Sequence, residues 1–310
     1  MSVLIFGATG FIGRNLVRRL AAGGRTVIAI SRMGTSVPEA AISLALSDID
    51  SLPTLPDGAI VCNVAAHRYD ASRFDLAQSD ILSANVALTN RIYEFCATRG
   101  IKEVRNASSV AVYQAGLPVM DDAAPVDFNA PPHRNEAFYA WSKRWAELAA
   151  TLFADRFGIS TVAFRLSNPY GPFDSTDARA AHVLPAFVMR GLQSGDTFEM
   201  RGDPHVERDF IFVDDVTEVF VRSLDWRGRT ETFNLCRGST TSLFDLASEI
   251  IAQTGGTKRI VTETDFAPAA VRARRSTSDA VRKAFGIEAF TGLAEGLAPT
   301  IAWYREQLHA

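Results

Sequence analysis

The sequence predicts an α/β protein: a doubly wound parallel sheet with helices on both faces, joined to a smaller mixed α/β lobe. Three observations lead there. Short apolar runs alternate with helical repeats through the first half of the chain. A glycine-rich turn follows the first run, and the pattern loosens after about Asn168. Regular alternation of β and α elements gives parallel strands whose crossover helices cover the sheet.

Val3–Phe6 is a continuous apolar run closed by Gly7, as suits a strand buried on both faces. From Gly10 to Ala22, residues Ile12, Leu16, Val17 and Leu20 recur at helical spacing, and Gly23-Gly24 ends the helix. Thr26–Ile30, Ala41–Leu46, Ala59–Val64, Glu103–Ala107 and Thr161–Leu166 read as further strands. Helices at Ile81–Thr98 and Tyr139–Phe157 separate the later ones. Asn168–Ala181, rich in Pro, Gly and Asp, is expected to be a loop. Helices then follow at His182–Gln193, Ser242–Ala252 and Leu293–Gln307, among short strands at Phe198–Met200, Asp209–Val213 and Thr232–Leu235. On this reading 1–167, with about 208–238, form the first domain, and 168–207 with 239–310 form the second lobe.

The 310 residues are 47% hydrophobic, enough for a large core without a metal or disulfide staple. Thirty-five acidic and 32 basic residues leave a net charge of −3 with no long like-charge block. That balance weighs against a nucleic-acid surface and a polybasic membrane anchor, so an anionic ligand has to be held by a few placed groups. Cys62, Cys96 and Cys236 are isolated and form no CxxC pair, which argues against zinc and disulfides and for a reducing cytoplasm. No stretch approaches the roughly 20 apolar residues of a membrane span, and no signal peptide is expected at the amino terminus.

Gly7-Ala8-Thr9-Gly10-Phe11-Ile12-Gly13 lies between the first strand and the first helix. Glycines there permit a tight turn, close approach of a pyrophosphate and tight helix–strand packing, while the helix N-terminus offers N–H groups to the anion. A bound dinucleotide is therefore expected. An NAD site usually carries an acid at the end of the second strand, but this chain has Ser31-Arg32 there. A hydroxyl and a guanidinium suit a 2′-phosphate, which a carboxylate would repel. NADP(H) is thus favoured over NAD(H), with Arg14 a further candidate and a solvated surface the alternative for both arginines.

Tyr139 and Lys143, four apart at the start of a helix, share one face. A free tyrosine titrates near about 10, and a neighbouring ammonium favours its phenolate, making it a workable acid/base. Ser108-Ser109 follow the Glu103–Ala107 strand, at the sheet end where ligands bind in such folds.

With these features, the chain resembles the extended short-chain dehydrogenase/reductases, the nucleotide-sugar epimerase, dehydratase and ketoreductase group with a Rossmann cofactor domain. Its motifs run along essentially the whole sequence. They comprise GATGFIG at Gly7–Gly13, Asp48-Ile49, Ala65-Ala66, Asn85-Val86, SSVAVY at Ser108–Tyr113 and YAWSK at Tyr139–Lys143. RLSNPYGP at Arg165–Pro172, RDFIFVDDV at Arg208–Val216, FNLCRG at Phe233–Gly238 and EGLAPTIAWY at Glu295–Tyr304 complete the series. The resemblance implies that Tyr139 is the acid/base, that Lys143 lowers its pKa and holds the nicotinamide ribose, and that Ser109 bonds the reacting oxygen. It places Asp48 and Ile49 on the adenine side and Ala65 and Ala66 along the cofactor. Asn168 and Arg208 match positions that hold the sugar-nucleotide diphosphate, with one of Arg272, Arg274 and Arg275 as a second phosphate ligand. For Arg208 the alternative is a salt bridge to Asp209 or Asp214.

Departures from the group narrow the chemistry. Its dehydratases carry an Asp-Glu pair after the catalytic Ser/Thr, where this chain has Val110 and Ala111, so elimination is not expected. His182 matches a GDP-fucose synthase stretch, but the cysteine that pairs with that histidine is Ala111 here, leaving His182 to bound the sugar pocket or cap a helix. The leading expectation is a cytoplasmic, homodimeric 4-ketoreductase of a nucleotide-diphosphate sugar. A 4-epimerase retaining NAD is the alternative, and a non-catalytic cofactor sensor a minor one.

Overall fold

A run such as Val3–Phe6 has no polar face to show to water, so it is stable only inside a sheet covered on both sides. The computed structural model, which describes residues 1–67, 74–178, 181–262 and 272–309, puts such runs there. In chain order the strands are β1 (Ser2–Phe6), β2 (Thr26–Ser31), β3 (Ile42–Ala45), β4 (Ile60–Asn63), β5 (Glu103–Ser109) and β6 (Ser160–Leu166). The shorter strands β7 (Asn168–Tyr170), β8 (Thr197–Met200), β9 (Glu207–Phe212), β10 (Glu231–Leu235), β11 (Thr240–Ser242) and β12 (Arg259–Thr262) follow. The first four helices are α1 (Phe11–Ala22), α2 (Phe74–Thr98), α3 (Ala137–Phe157) and α4 (Val183–Leu192). The last four are α5 (Val213–Ser223), α6 (Leu243–Gln253), α7 (Asp279–Phe285) and α8 (Leu293–His309).

Seven strands form one parallel sheet in the order β10-β6-β5-β4-β1-β2-β3. Strand order reverses between β1 and β4, and such a switch point opens a crevice at the carboxyl ends of the strands. The two faces follow from alternation along each strand. Val3 and Ile5 look toward Leu16, Val17 and Leu20 of α1 and Val219 and Phe220 of α5, while Leu4 and Phe6 join Tyr93 and Phe95 of α2 and Ala149 of α3. A second apolar cluster gathers Phe187 and Val188 of α4, Ile250 of α6, Leu297 and Tyr304 of α8, and Phe198 and Phe210 of β8 and β9.

Several expectations change. Asn168–Tyr170 is a strand, not a loop, because it pairs with Phe210–Phe212 of β9; residues 179–180 of the expected loop lie outside the described residues. The strand read as ending at Val213 stops at Phe212, and α5 starts at once with Asp214 and Asp215 in its first turn. Helix α7 and the edge strands β11 and β12 appear where no element was expected, and α2 begins at Phe74 rather than Ile81. Although α7 falls in the range assigned to the second lobe, its Val281 and Phe285 pack into the core of the large sheet.

Two contacts tie distant segments together. Arg105 on β5 is fully buried: it donates to Glu103 Oε2 (3.0 Å), to the carbonyl of Ser223 at the end of α5 (2.8 Å), and to that of Trp226 just beyond the helix (2.8 Å). Phe173, with φ of 70°, is the one non-glycine residue with a positive φ among those described. Its ring lies 4.9 Å from the guanidinium of Arg14, 4.9 Å from that of Arg18 and 5.4 Å from Trp303 of α8. Breaking a buried ion pair by removing one partner costs about 3–5 kcal/mol. Arg105→Ala should therefore lower unfolding free energy by that order in urea titrations, whereas Arg91→Ala, which breaks a surface ion pair to Asp50, should cost under about 1 kcal/mol.

Candidate active site

The β1–α1 turn is shaped by what its glycines leave out. Gly7 has φ of +88°, and a Cβ there would come within 2.8 Å of both the nitrogen and Cα of Ala65 after β4. A Cβ on Gly13 would overlap the Gly7 carbonyl. The turn therefore packs against the start of α1 and against the β4 loop at the same time. Gly10 is the N-cap of α1, no side chain caps the helix, and its first turn carries no acid. The positive end of the helix dipole and its N–H groups stay available to an anion. Thr9 and Gly10 are exposed, while Phe11 and Gly13 are buried and Ile12 is partly so. This cradle fits the pyrophosphate of a nicotinamide dinucleotide.

Around it, the Ser31 hydroxyl at the end of β2 accepts from Thr35 N–H (3.1 Å), and Arg32 is exposed. Arg14 is turned toward Phe173, so Ser31 and Arg32 are the polar pair at this strand end. Asp48 is exposed and accepts from the Ser47 hydroxyl (2.9 Å), beside the fully buried Ile49. Beyond β4, Asn63 accepts from Ala65 N–H (3.2 Å), and Ala66 is exposed. Asn85 of α2 accepts from His67 N–H (2.8 Å) and donates to the His67 carbonyl (3.2 Å), pinning the same loop.

Lys143, with Tyr139 one turn before it, reaches the carboxyl-terminal part of β5, the strand that ends in Ser109. Ser109 is the last residue of that strand; its oxygen accepts from Ala111 N–H (3.2 Å), which leaves the hydroxyl proton to donate elsewhere. Tyr139 and Lys143 lie one turn apart near the start of α3, with the ammonium 5.6 Å from the Tyr139 ring centroid. Lys143 is buried and donates to the Ala107 carbonyl (2.7 Å), so α3 is tied to β5 two residues before Ser109. Burial pulls the Lys143 ammonium down from 10.5 to about 8, partly offset by the Glu147 carboxylate.

Glu147, one turn further along α3, was not singled out from the sequence. Its carboxylate accepts from the Ser108 hydroxyl (2.6 Å) and from Arg165 Nε (3.0 Å) and Nη2 (2.8 Å). Arg165 Nη1 in turn donates to the Tyr113 oxygen (2.9 Å), which lies 2.9 Å from Asn234 Oδ1. Asp122 accepts from Asn234 N–H, and burial pushes its carboxyl up to about 6. A lysine and a glutamate four apart on a helix was the available sequence signal; the pairing with β6 was not.

On the second-lobe side, Asn168 donates to the Asp209 carbonyl (2.7 Å), joining β7 to β9. The Asp209 carboxylate accepts from the Ser167 hydroxyl and from the N–H groups of Arg237 and Gly238. Burial, followed by the charge of Arg274, draws Arg208 from 12.5 down to about 10. Of the three downstream arginines, Arg272 and Arg275 have largely exposed side chains (74% and 63%), whereas Arg274 is 15% exposed and pairs with Glu136 beside Arg208. His182 is the exposed N-cap of α4, and its side chain makes no capping hydrogen bond.

The model of the NAD dependent epimerase/dehydratase family matches residues 3–236. The chain belongs to that family. It is 29% identical over 276 residues to dTDP-4-dehydro-6-deoxy-D-allose reductase of a Streptomyces species, covering 84% of this chain and 83% of that one. It is 27% identical to UDP-glucose 4-epimerase of Mycolicibacterium smegmatis, covering 99% of each. The structure of MoeE5 in complex with UDP-glucose and NAD superposes with a TM-score of 0.82 at 29% identity, covering 99% of this chain and all of that one. In this epimerase/dehydratase family member, Glu147 holds Lys143 against the full effect of burial. Glu147→Gln should therefore move the Lys143 titration below about 8, read from its side-chain NMR signals across pH.

Proposed function

We propose that this chain is an NAD(P)-dependent oxidoreductase acting at C4 of a nucleotide-diphosphate sugar, working as a 4-ketoreductase. The observation that carries the reading is the Lys143 ammonium, held by the Ala107 carbonyl beside both Tyr139 and the strand that ends in Ser109. The residues of the β1–α1 turn, Asp48, Ile49, Ala65 and Ala66 would hold the cofactor. When bound, its nicotinamide supplies or accepts the hydride. Ser109 donates to the C4 oxygen and orients it. Tyr139 gives that oxygen a proton as the ketone is reduced, and the Lys143 ammonium stabilises the phenolate left behind. Arg208, Asn168 and Arg274 hold the diphosphate, and His182 bounds the sugar end.

Val110, which is buried, and Ala111 carry no proton-transferring group next to Ser109, which favours redox at C4 without elimination. The lack of an acid at Ser31-Arg32 favours NADP(H), and with it a reductase drawing on a reducing pool. Similarity to an epimerase along 99% of the chain supports the second reading, a 4-epimerase with retained NAD. Residues 1–167 with about 208–238, joined by α7, would form the cofactor domain, and 168–207 with the rest of 239–310 the sugar lobe. Leu148 and Leu152, exposed one turn apart on α3, supply an apolar strip for a homodimer. Three buried free cysteines suit a reducing cytoplasm. Among the described residues no helix is long and apolar enough to cross a membrane.

A panel of UDP-, dTDP-, GDP- and CDP-linked 4-keto sugars, each with NADPH and NADH, tests the assignment. Net NADPH consumption is expected; sugar interconversion without it would select the epimerase. Tyr139→Phe should slow turnover by about 10²–10⁴-fold, and wild-type rates in that variant would overturn the enzymatic role. Because the Lys143 proton is lost near about 8 instead of 10.5, the charged form that supports the phenolate prevails below that value. The rate should accordingly fall as pH rises past it. Arg32→Asp should weaken NADP(H) binding by roughly tenfold to a hundredfold, the worth of a charge-assisted hydrogen bond, and leave NAD(H) binding unchanged.

A further inference from the structure

Arg274 stands on a stretch whose backbone is fixed without help from its side chain. Glu207 N–H at the start of β9 donates to the Arg272 carbonyl (2.7 Å), and Glu207 bridges to Ala273 in parallel fashion. On the other side, Met120 N–H donates to the Arg275 carbonyl (2.8 Å), and Thr277 N–H to that of Met120 (3.0 Å). Arg208 lies on β9 itself, so two guanidiniums are carried side by side on one frame. They are close enough that Arg208 feels the charge of Arg274 and His133 feels both.

Facing them is Glu136. Arg274 Nη1 donates to both of its carboxylate oxygens, at 3.0 and 2.8 Å, and the two side chains are 15% and 25% exposed. Glu136 is also the N-cap of α3, yet it makes no capping hydrogen bond there, so its carboxylate is committed to the arginine. A partly exposed ion pair has little net worth, and a guanidinium binds a phosphate at least as well as a carboxylate.

We propose that Glu136 is an internal competitor for Arg274: its carboxylate takes the place of a phosphate oxygen and yields the guanidinium when a nucleoside diphosphate binds. The inference rests on the reading above that Arg208 and Arg274 receive the diphosphate. Glu136 is then a positioning residue that keeps Arg274 turned toward the site while setting how tightly the diphosphate is held. It lies three residues before Tyr139, so exchange at Arg274 occurs at the entrance to the helix that carries the acid/base.

Calorimetric titration of the full chain with UDP, dTDP, GDP and CDP tests this, using wild type, Glu136→Gln, Glu136→Ala, Arg274→Gln and the double variant Glu136→Gln/Arg274→Gln. Both Glu136 variants should bind the preferred diphosphate about two- to fivefold tighter than wild type, the range of a partly exposed ion pair. Arg274→Gln should bind it more weakly, and the gain from Glu136→Gln should vanish in the Arg274→Gln background. Unchanged or weaker binding in folded Glu136 variants, or a gain that survives without Arg274, would overturn the proposal while leaving the functional reading intact. If wild type bound none of the four diphosphates, the functional reading would fail and this inference with it.

Discussion

The carboxylate of Glu147 is enclosed by the hydroxyl of Ser108 and by two nitrogens of Arg165, with its side chain only 10% exposed. Charges removed from water are tolerated only when each finds partners of good geometry, and three segments have to be in register for that to happen here. Helix α3 brings Glu147, β5 brings Ser108 and β6 brings Arg165. Such a pair adds little net stability over a well-packed apolar alternative, but a mismatch of register would strand a buried charge. Its effect is to select one placement of α3 on the sheet.

Everything on α3 inherits that placement. Lys143, one turn before Glu147, reaches the Ala107 carbonyl, and Tyr139, one turn earlier still, sets its ring 5.6 Å from that ammonium. The same network continues through Arg165 and Tyr113 to Asn234 on β10, so the outermost strand of the sheet is joined to the site. At the other side of the crevice, Gly7 and Ala65 touch across the switch point, fixing the turn that opens α1 relative to the loop after β4. The two halves of the site are thus set by unlike forces, polar pairing on one side and close backbone packing on the other.

What could be read from the sequence was local. The apolar run Val3–Phe6, the glycines at Gly7, Gly10 and Gly13, and the four-residue spacing of Tyr139 and Lys143 each declare themselves within a turn or two of chain. Helix α5 escaped because it follows β9 directly, with Phe212 as N-cap and no Ser, Thr, Asp or Asn to announce it. Strand β7 is three residues long and owes its conformation to partners near Phe210. What sets Arg274 apart from Arg272 and Arg275 is its pairing with Glu136, 138 residues away along the chain. Proline and glycine density at 168–181 was a fair sign of irregular chain, but hydrogen bonding to a distant strand outweighed it.

Phe173 adds a different kind of lesson. Its backbone lies in a region where glycine or asparagine would sit with less strain, yet its ring is flanked by Arg14 and Arg18 of α1 and Trp303 of α8. Local comfort and long-distance adhesion pull in opposite directions at this one residue. A glycine would relax the bend and remove the aromatic surface on which these two arginines and that tryptophan meet. The molecule keeps the kinked phenylalanine, and with it a rivet between α1, which opens at the glycine turn, and α8 near the other end of the chain.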